Sequence, residues 1–242
     1  MSYREKIYQR YAEGFQIKGY ARSDVAKHWA LAYQYFLRNW LPADKSSRIA
    51  DVGCGGGQLL AAFRILGYEC LSGVDVSEQQ VALARRAGFS VEAGDAAAFL
   101  SRHPGEFDLL TAIDIAEHLT KDELIDFFDK AYAALRPGGR LILQMPNPNS
   151  PMGMRIRYGD LTHENCLSPE CAERLLAMTG FGACESRETG PVPGWKSILG
   201  SVRWLVWQFV RLGWLGYDFV ETGGFGTNIF TRVYVVSGKR PL

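Results

Sequence analysis

Hydrophobic positions along the chain follow two successive rhythms. Up to residue 47 they recur at helical spacing. Tyr3 to Phe15 is weakly amphipathic, and Ser23-Asp24 offers capping oxygens to a run from Val25 to Leu41 that Pro42 ends. From Arg48 short apolar runs alternate with amphipathic segments: RIADVGC before GGQLLAAFRILG, YECLSGVDV before EQQVALARRAG, SVEAGDA before AAFLSRH. FDLLTAIDI, KDELIDFFDKAYAALRPGG and RLILQMPN continue the series. Apolar strands alternating with helices predict a parallel α/β sheet covered on both faces, with function at the strand C-termini.

The rhythm breaks twice. After Asn147 a Pro-, Gly- and Met-rich stretch runs to Ser168, before a helix SPECAERLLAMTG and a strand-like GACESRET. A Trp- and Gly-rich stretch then precedes a final strand, NIFTRVYVVSG. The expected division is a helical cap over residues 1–47, a core over 48–190, a lid or interfacial insertion over 191–226 and a closing strand over 227–242. Within the insertion, a helix from Ser197 to Leu212 puts Ile198, Leu199, Val202, Leu205, Val206, Phe209 and Val210 on one face. Arg203, Trp204, Trp207, Gln208 and Arg211 fall on the other. The expectation is that the apolar face packs on the domain and frees Trp204 and Trp207 for an acceptor or a membrane surface. The arginines break the stretch too often for a membrane span. Peripheral membrane contact through residues 197–220, a lid and a homodimer face are the readings left.

Charge narrows the partners. Lys and Arg total 27 against 26 Asp and Glu, a net +1 with no basic run, which argues against nucleic acid. Arg4, Glu5, Lys6 and Arg10 leave the N-terminus without the apolar core of a secretory signal, so a cytoplasmic protein is expected. Five cysteines without a C-x-x-C pair fit reduced thiols better than a disulfide framework or a thiolate zinc site.

The first strand ends in Asp51-Val52-Gly53-Cys54-Gly55-Gly56-Gly57, directly before a helix. Glycines there let the backbone turn sharply and approach a ligand. A dinucleotide frame, G-x-G-x-x-G, would need glycine where Gln58 stands, which disfavours NAD. Asp75 ends the second strand, where a carboxylate can accept from both ribose hydroxyls of a nucleoside. With Gly94-Asp95-Ala96, Phe107-Asp108-Leu109-Leu110 and LRPGG at Leu135 to Gly139, the run from Ile49 to Pro146 resembles the class I S-adenosylmethionine-dependent methyltransferases. That resemblance implies a doubly wound, seven-stranded, mostly parallel sheet whose last strand is antiparallel, and S-adenosyl-L-methionine as cofactor. It also implies that Asp51, Gly53 and Gly55 surround the methionine moiety, Asp75 the ribose, and Asp95 with Ala96 the adenine. Cys54, Gln58, Val76 and Ile113 complete the expected cofactor set.

A sulfonium methyl is already activated, so the enzyme mainly aligns the acceptor and removes a proton where there is one to lose. After the fourth strand, Asp114, Glu117 and His118 form D-x-x-E-H, and His118 is the natural base. The segment IAEHL resembles ubiquinone-biosynthesis O-methyltransferases, in which a similar set is associated with a divalent metal. Two of the three residues are sequence neighbours, which makes joint ligation demanding, so the expectation is a metal-free site with Asp114, Glu117 and His118 as the alternative ligands. A second polar cluster, Asp160 to Asn165, places His163 as the rival base and Asp160 and Glu164 as acceptor contacts, beside Trp204 and Trp207. PNP followed by GDLTHEN resembles methyltransferases of bacterial surface-polysaccharide and secondary-metabolite pathways. The implied acceptor is a hydroxyl of a glycan or small polar metabolite. A phenolic, lipid-linked or amine acceptor, and a non-catalytic S-adenosylmethionine-binding protein, are the alternatives. Ile113-Asp114-Ile115-Ala116 lacks the N-P-P-Y type of sequence found where nucleic-acid amines are methylated.

Overall fold

A computed structural model describes Ile7, residues 23–193 and residues 198–242. The helix expected over Tyr3 to Phe15 lies, apart from Ile7, outside the described residues. The sheet is built on β1 (Ile49–Val52), whose four residues are all buried because it pairs in parallel on both sides, with β2 (Leu71–Asp75) and β4 (Phe107–Ile113). β3 (Ser90–Ala93) and β5 (Leu135–Pro146) extend it in parallel. β7 (Val233–Lys239) inserts antiparallel between β5 and β6 (Gly182–Glu188), giving the order β3-β2-β1-β4-β5-β7-β6.

Strand alternation divides the core. Leu110, Leu141 and Leu143 pack on one face, Leu109 and Ile142 on the other. The first face is covered by α4 (Ala96–Arg102), α5 (Lys121–Ala134) and α7 (Pro169–Met178), through Phe99, Phe127, Phe128 and Leu176, with the short α6 (Gly153–Arg157) lying between β5 and α7 in the chain. The second is covered by α1 (Ser23–Phe36) and α2 (Gln58–Ile65), through Tyr33, Phe36, Leu59 and Phe63. α3 (Glu78–Arg86) adds Val81 and Ala84 against Leu60 and Phe89. The helix starts follow side-chain chemistry: Asp95 caps α4 by accepting from Ala98 N–H, and Thr120 with Glu123 forms a capping box on α5.

Three boundaries differ from the sequence reading. α1 stops at Phe36, because Leu37 to Trp40 form a turn with Asn39 in the left-handed region (φ 67°) that drops Trp40 into the core. β5 begins at Leu135, its register shifting between Phe107 and Leu109 on the partner strand. β7 begins at Val233, not Asn228, since the carbonyls of Ile229 and Thr231 are taken by the buried side-chain amide of Asn147.

The largest correction concerns α8 (Ile198–Thr222). Its half-buried side includes Trp204, Trp207, Gln208, Arg211, Trp214 and Asp218, while Ile198, Val202, Leu205, Val206 and Phe209 are exposed. The face expected to pack on the domain points away from it. The inward side is held by polar contacts: Glu188 at the end of β6 accepts from Trp207 Nε1 (3.4 Å) and pairs with Arg211 Nε (3.2 Å). Among the described residues no helix is long and apolar enough to cross a membrane.

Core packing makes a direct prediction. Phe128→Ala removes a fully buried ring and is expected to cost about 3–5 kcal/mol, whereas Ile125→Ala on the exposed side of α5 should stay within about 1 kcal/mol. Urea unfolding of both variants against wild type measures the contrast.

Candidate functional site

At the C-terminal edge of the sheet, neighbouring strands set four carboxylates in a row: Asp95 after β3, Asp75 at the end of β2, Asp51 in β1 and Asp114 after β4. The glycine loop between β1 and α2 turns under them. Gly53 adopts φ 69°, and a Cβ there would collide with the Ile115 side chain; Gly57, at φ 84°, caps α2 against Phe89. Asp75 shapes this loop itself, one oxygen accepting from Gly55 N–H (2.8 Å) and the other from Ser77 N–H (2.8 Å). Cys54 is buried, and burial pushes its thiol pKa up, so it is an inert lining group. Gln58 opens α2, and Val76, 58% exposed beyond Asp75, offers an apolar surface at the rim. Ile113 ends β4, and Ala96 packs beside Asp95, whose Oδ1 is engaged in capping.

Asp51 is held in the sheet opposite Thr111, which donates its hydroxyl to Oδ1 (2.6 Å). Burial pushes its pKa from 3.8 to about 7, Thr111 pulling it down and the charge of Asp75 raising it.

The second part of the site is the turn after β4. Asp114 takes a left-handed backbone (φ 56°), unusual for a residue with a side chain. Its Oδ1 accepts from Gln144 Nε2 (3.1 Å), and Gln144 Oε1 accepts from the Tyr33 hydroxyl (3.2 Å). The Asp114 side chain is reached by solvent, yet the crevice walls surround it closely enough for desolvation to raise its pKa. A 3-10 turn (Ala116–His118) follows. Glu117 is 2% exposed, its pKa raised well above the ordinary value by burial and then by the charge of Asp114.

The loop from Asp160 to Asn165 is stapled onto this turn. The Glu117 carbonyl accepts from the backbone N–H groups of Glu164 (2.7 Å) and Asn165 (3.1 Å), and Asn165 Nδ2 donates to the carbonyls of Ala116 and Leu119 (both 2.8 Å). His163 thereby lies against His118, ring centroids 4.7 Å apart, with its Nε2 4.0 Å from Glu117 Oε1. Hydrogen bonds assign both tautomers. Thr162 gives its hydroxyl proton to Asp160 (2.6 Å), so at 2.8 Å from His118 Nδ1 it must accept, and His163 Nδ1 faces the Ile156 carbonyl (3.1 Å). In each neutral ring the lone pair is therefore on Nε2. Burial alone would raise the Asp160 pKa, but the Thr162 bonds and both imidazoles bring it below the ordinary value.

One ligand atom from each of Glu117, His118 and His163 lies within 4.8 Å of the others, a set that could hold a metal ion. The trio expected from sequence changes in one member: His163 joins, and Asp114 stands beside it on Gln144. Asp160 is engaged with Thr162, and the Glu164 side chain is exposed. Trp204 and Trp207 are not at the histidines. They line a cavity of about 360 Å³ with Tyr35, Arg38 and Arg211 beside the end of β6, separated from β4 by β5 and β7. Sequence reading missed Tyr33 and Gln144, and gave Thr162 and Asn165 no role beyond their place in the polar cluster. Only Thr162 carried a local signal, the D-x-T spacing of a side-chain-to-backbone turn at Asp160.

Asp51 supplies a pH test. Its folded pKa near 7 against 3.8 when unexposed to the fold means the folded state holds the extra proton between those values. This group therefore lowers stability progressively as pH rises from about 4 to 7. Asp51→Asn keeps an acceptor for Thr111 and removes the effect, so the melting temperature of the variant relative to wild type should climb across that window and level off above it.

A family model for a methyltransferase domain matches residues 21–184. Ubiquinone biosynthesis O-methyltransferase of Pseudomonas putida (strain GB-1) is 28% identical over 152 residues, covering 53% of this chain and 64% of that protein. Small RNA 2'-O-methyltransferase of Mus musculus is 27% identical over 148 residues, covering 53% of this chain and 37% of that protein. The chain thus spans less than two thirds of either relative's length. Among solved structures, phosphoethanolamine N-methyltransferase 2 of Haemonchus contortus, in complex with S-adenosyl-L-methionine, superposes with a TM-score of 0.59 at 19% identity, over 97% of this chain and 60% of that one. The expected sheet, with its antiparallel β7, is the one observed, and the family model covers the chain from α1 to the first residues of β6. The chain belongs to the class I S-adenosylmethionine-dependent methyltransferases.

Proposed function

We propose that the enzyme methylates a hydroxyl group of a sugar or other polar small molecule, with the Glu117, His118 and His163 cluster receiving that hydroxyl. The observation that carries this reading is the pair of imidazoles, each donating at Nδ1 to a fixed acceptor and so presenting Nε2 as a base next to a buried carboxyl. An alcohol must lose a proton to become a methyl acceptor, and an amine generally need not; two oriented bases suit the alcohol. The relatives named above as O-methyltransferases support the same chemistry. In this reading Asp51, Gly53, Cys54, Gly55 and Gln58 enclose the methionine moiety, Asp75 accepts from the ribose hydroxyls, and Val76, Asp95, Ala96 and Ile113 border the adenine.

The cluster also fits a divalent cation. Glu117 Oε2 is buried with no hydrogen-bond partner among the described residues, and each imidazole is backed through its other nitrogen, as ligating histidines are. One carboxylate and two imidazoles suit Mg, Mn or Zn, and a cation there would lower the pKa of the acceptor hydroxyl. Thr162 and Asp160 then act as positioning residues, holding the His118 ring and its tautomer.

Methyl transfer from labelled S-adenosylmethionine to a panel of sugars, polar alcohols, phenols and amines tests the class of acceptor. Alcohols should be methylated, and turnover confined to amines would overturn the proposal. His118→Ala and His163→Ala should each lower turnover by about 10²–10⁴ with cofactor affinity nearly unchanged. Asp75→Ala should do the reverse, weakening cofactor binding at least about tenfold by calorimetry. Loss of activity on chelation, recovered with added Mn or Mg and absent in Glu117→Gln, would identify the cation.

A further inference from the structure

We propose that the outward face of α8 is the interface of a homodimer in which the helices of two copies pack antiparallel. The helix of 25 residues is about 37 Å long and turns its polar row inward onto Glu188. Outward stand Ile198, Leu205, Phe209 and Leu212, exposed by 87%, 52%, 66% and 63%. Half of such a cylinder presents about 600 Å². That is the upper end of what a monomer leaves uncovered, and paired across a two-fold it reaches the roughly 1,200 Å² at which specific interfaces begin.

Spacing and shape point to another helix as the occupant. Ile198, Val202, Leu205, Phe209, Leu212 and Phe219, with Gly216 between the last two, recur at alternating intervals of four and three, the seam of a helix pair. Gly213 and Gly216 lie on the same side, and a Cβ built on either meets nothing within 4 Å. Glycine is a poor residue for a helix interior, and here it leaves a notch that no group among the described residues fills. An antiparallel mate can seat its Phe209 there, with the reciprocal contact required by two-fold symmetry.

Charge sets the direction. Exposed Arg203 lies toward one end of the helix and exposed Glu221 toward the other, so antiparallel packing brings opposite charges near each other and parallel packing stacks like on like. A lipid surface fits less well. An interfacial helix keeps a basic polar face toward headgroups, whereas this polar face is against the protein and the outward half offers Arg203 as its one basic residue among those described.

Sedimentation equilibrium of the full chain, from about 1 to 100 µM, reads the outcome. Wild type should be a dimer, and Phe209→Glu a monomer with unchanged S-adenosylmethionine affinity, which shows that the variant is folded. Gly213→Leu fills the notch without adding charge and should weaken the dimer at least about tenfold. Arg203→Glu and Glu221→Arg should each weaken it about two- to fivefold, and the double variant should recover the loss. A monomeric wild type at 100 µM, or a dimer untouched by Phe209→Glu and Gly213→Leu, overturns the proposal. So does a monomer that floats with phosphatidylglycerol vesicles through this face, which would assign it to lipid.

Discussion

One backbone carbonyl organises the histidine cluster of this molecule. The Glu117 C=O accepts two N–H groups from the loop at Glu164 and Asn165, and the Asn165 amide spans the same turn by reaching the carbonyls on either side of it. A loop as long as the one between β5 and α7 loses much conformational entropy when it is ordered, and its own residues contribute little apolar burial in return. What orders it is a set of hydrogen bonds to a turn already fixed by β4. Without them His163 would have no defined relation to His118, and Thr162 no ring to orient. The chemistry proposed for the cluster therefore rests on main-chain geometry more than on any charged pair.

The adjoining half of the site is dominated by carboxyl groups that lack cationic partners in the described structure. Asp51, Asp75 and Asp114 each have a pKa raised by burial, and the charge of Asp75 adds to the shift at Asp51. Such a row is destabilising in an empty protein and favourable once a cation arrives. S-adenosylmethionine carries both an ammonium and a sulfonium, which is the charge that the proposed cofactor site would favour. The left-handed backbone at Asp114 is a second local cost at this edge, and its carboxyl accepts from Gln144, which Tyr33 in turn holds through its hydroxyl.

α8 shows how a correct periodicity can be assigned to the wrong side. The wheel separates apolar from polar residues cleanly, but which side faces inward depends on what the domain offers. Here it offers Glu188 and a polar cavity beside β6, and the indoles and guanidinium go to them. The apolar side is left over among the described residues, and it is the face proposed above to meet a second copy.

The sequence by itself determined the βα alternation, the sheet at its centre, the glycine turn and the acidic strand ends, because each rests on interactions within a few residues: hydrophobic period, capping oxygens, glycine at positive φ. The D-x-x-E-H turn was legible for the same reason. Only the tertiary structure decided that His163, 45 residues from His118, completes the cluster in place of Asp114, since hydrogen bonds across that separation leave no periodic trace. It likewise decided the inward side of α8 and the start of β7, where the Glu188 carboxylate and the Asn147 amide, each far away in the chain, outweigh the local apolar pattern. Local propensity sets what an element is, and buried polar groups that must find partners set where it goes.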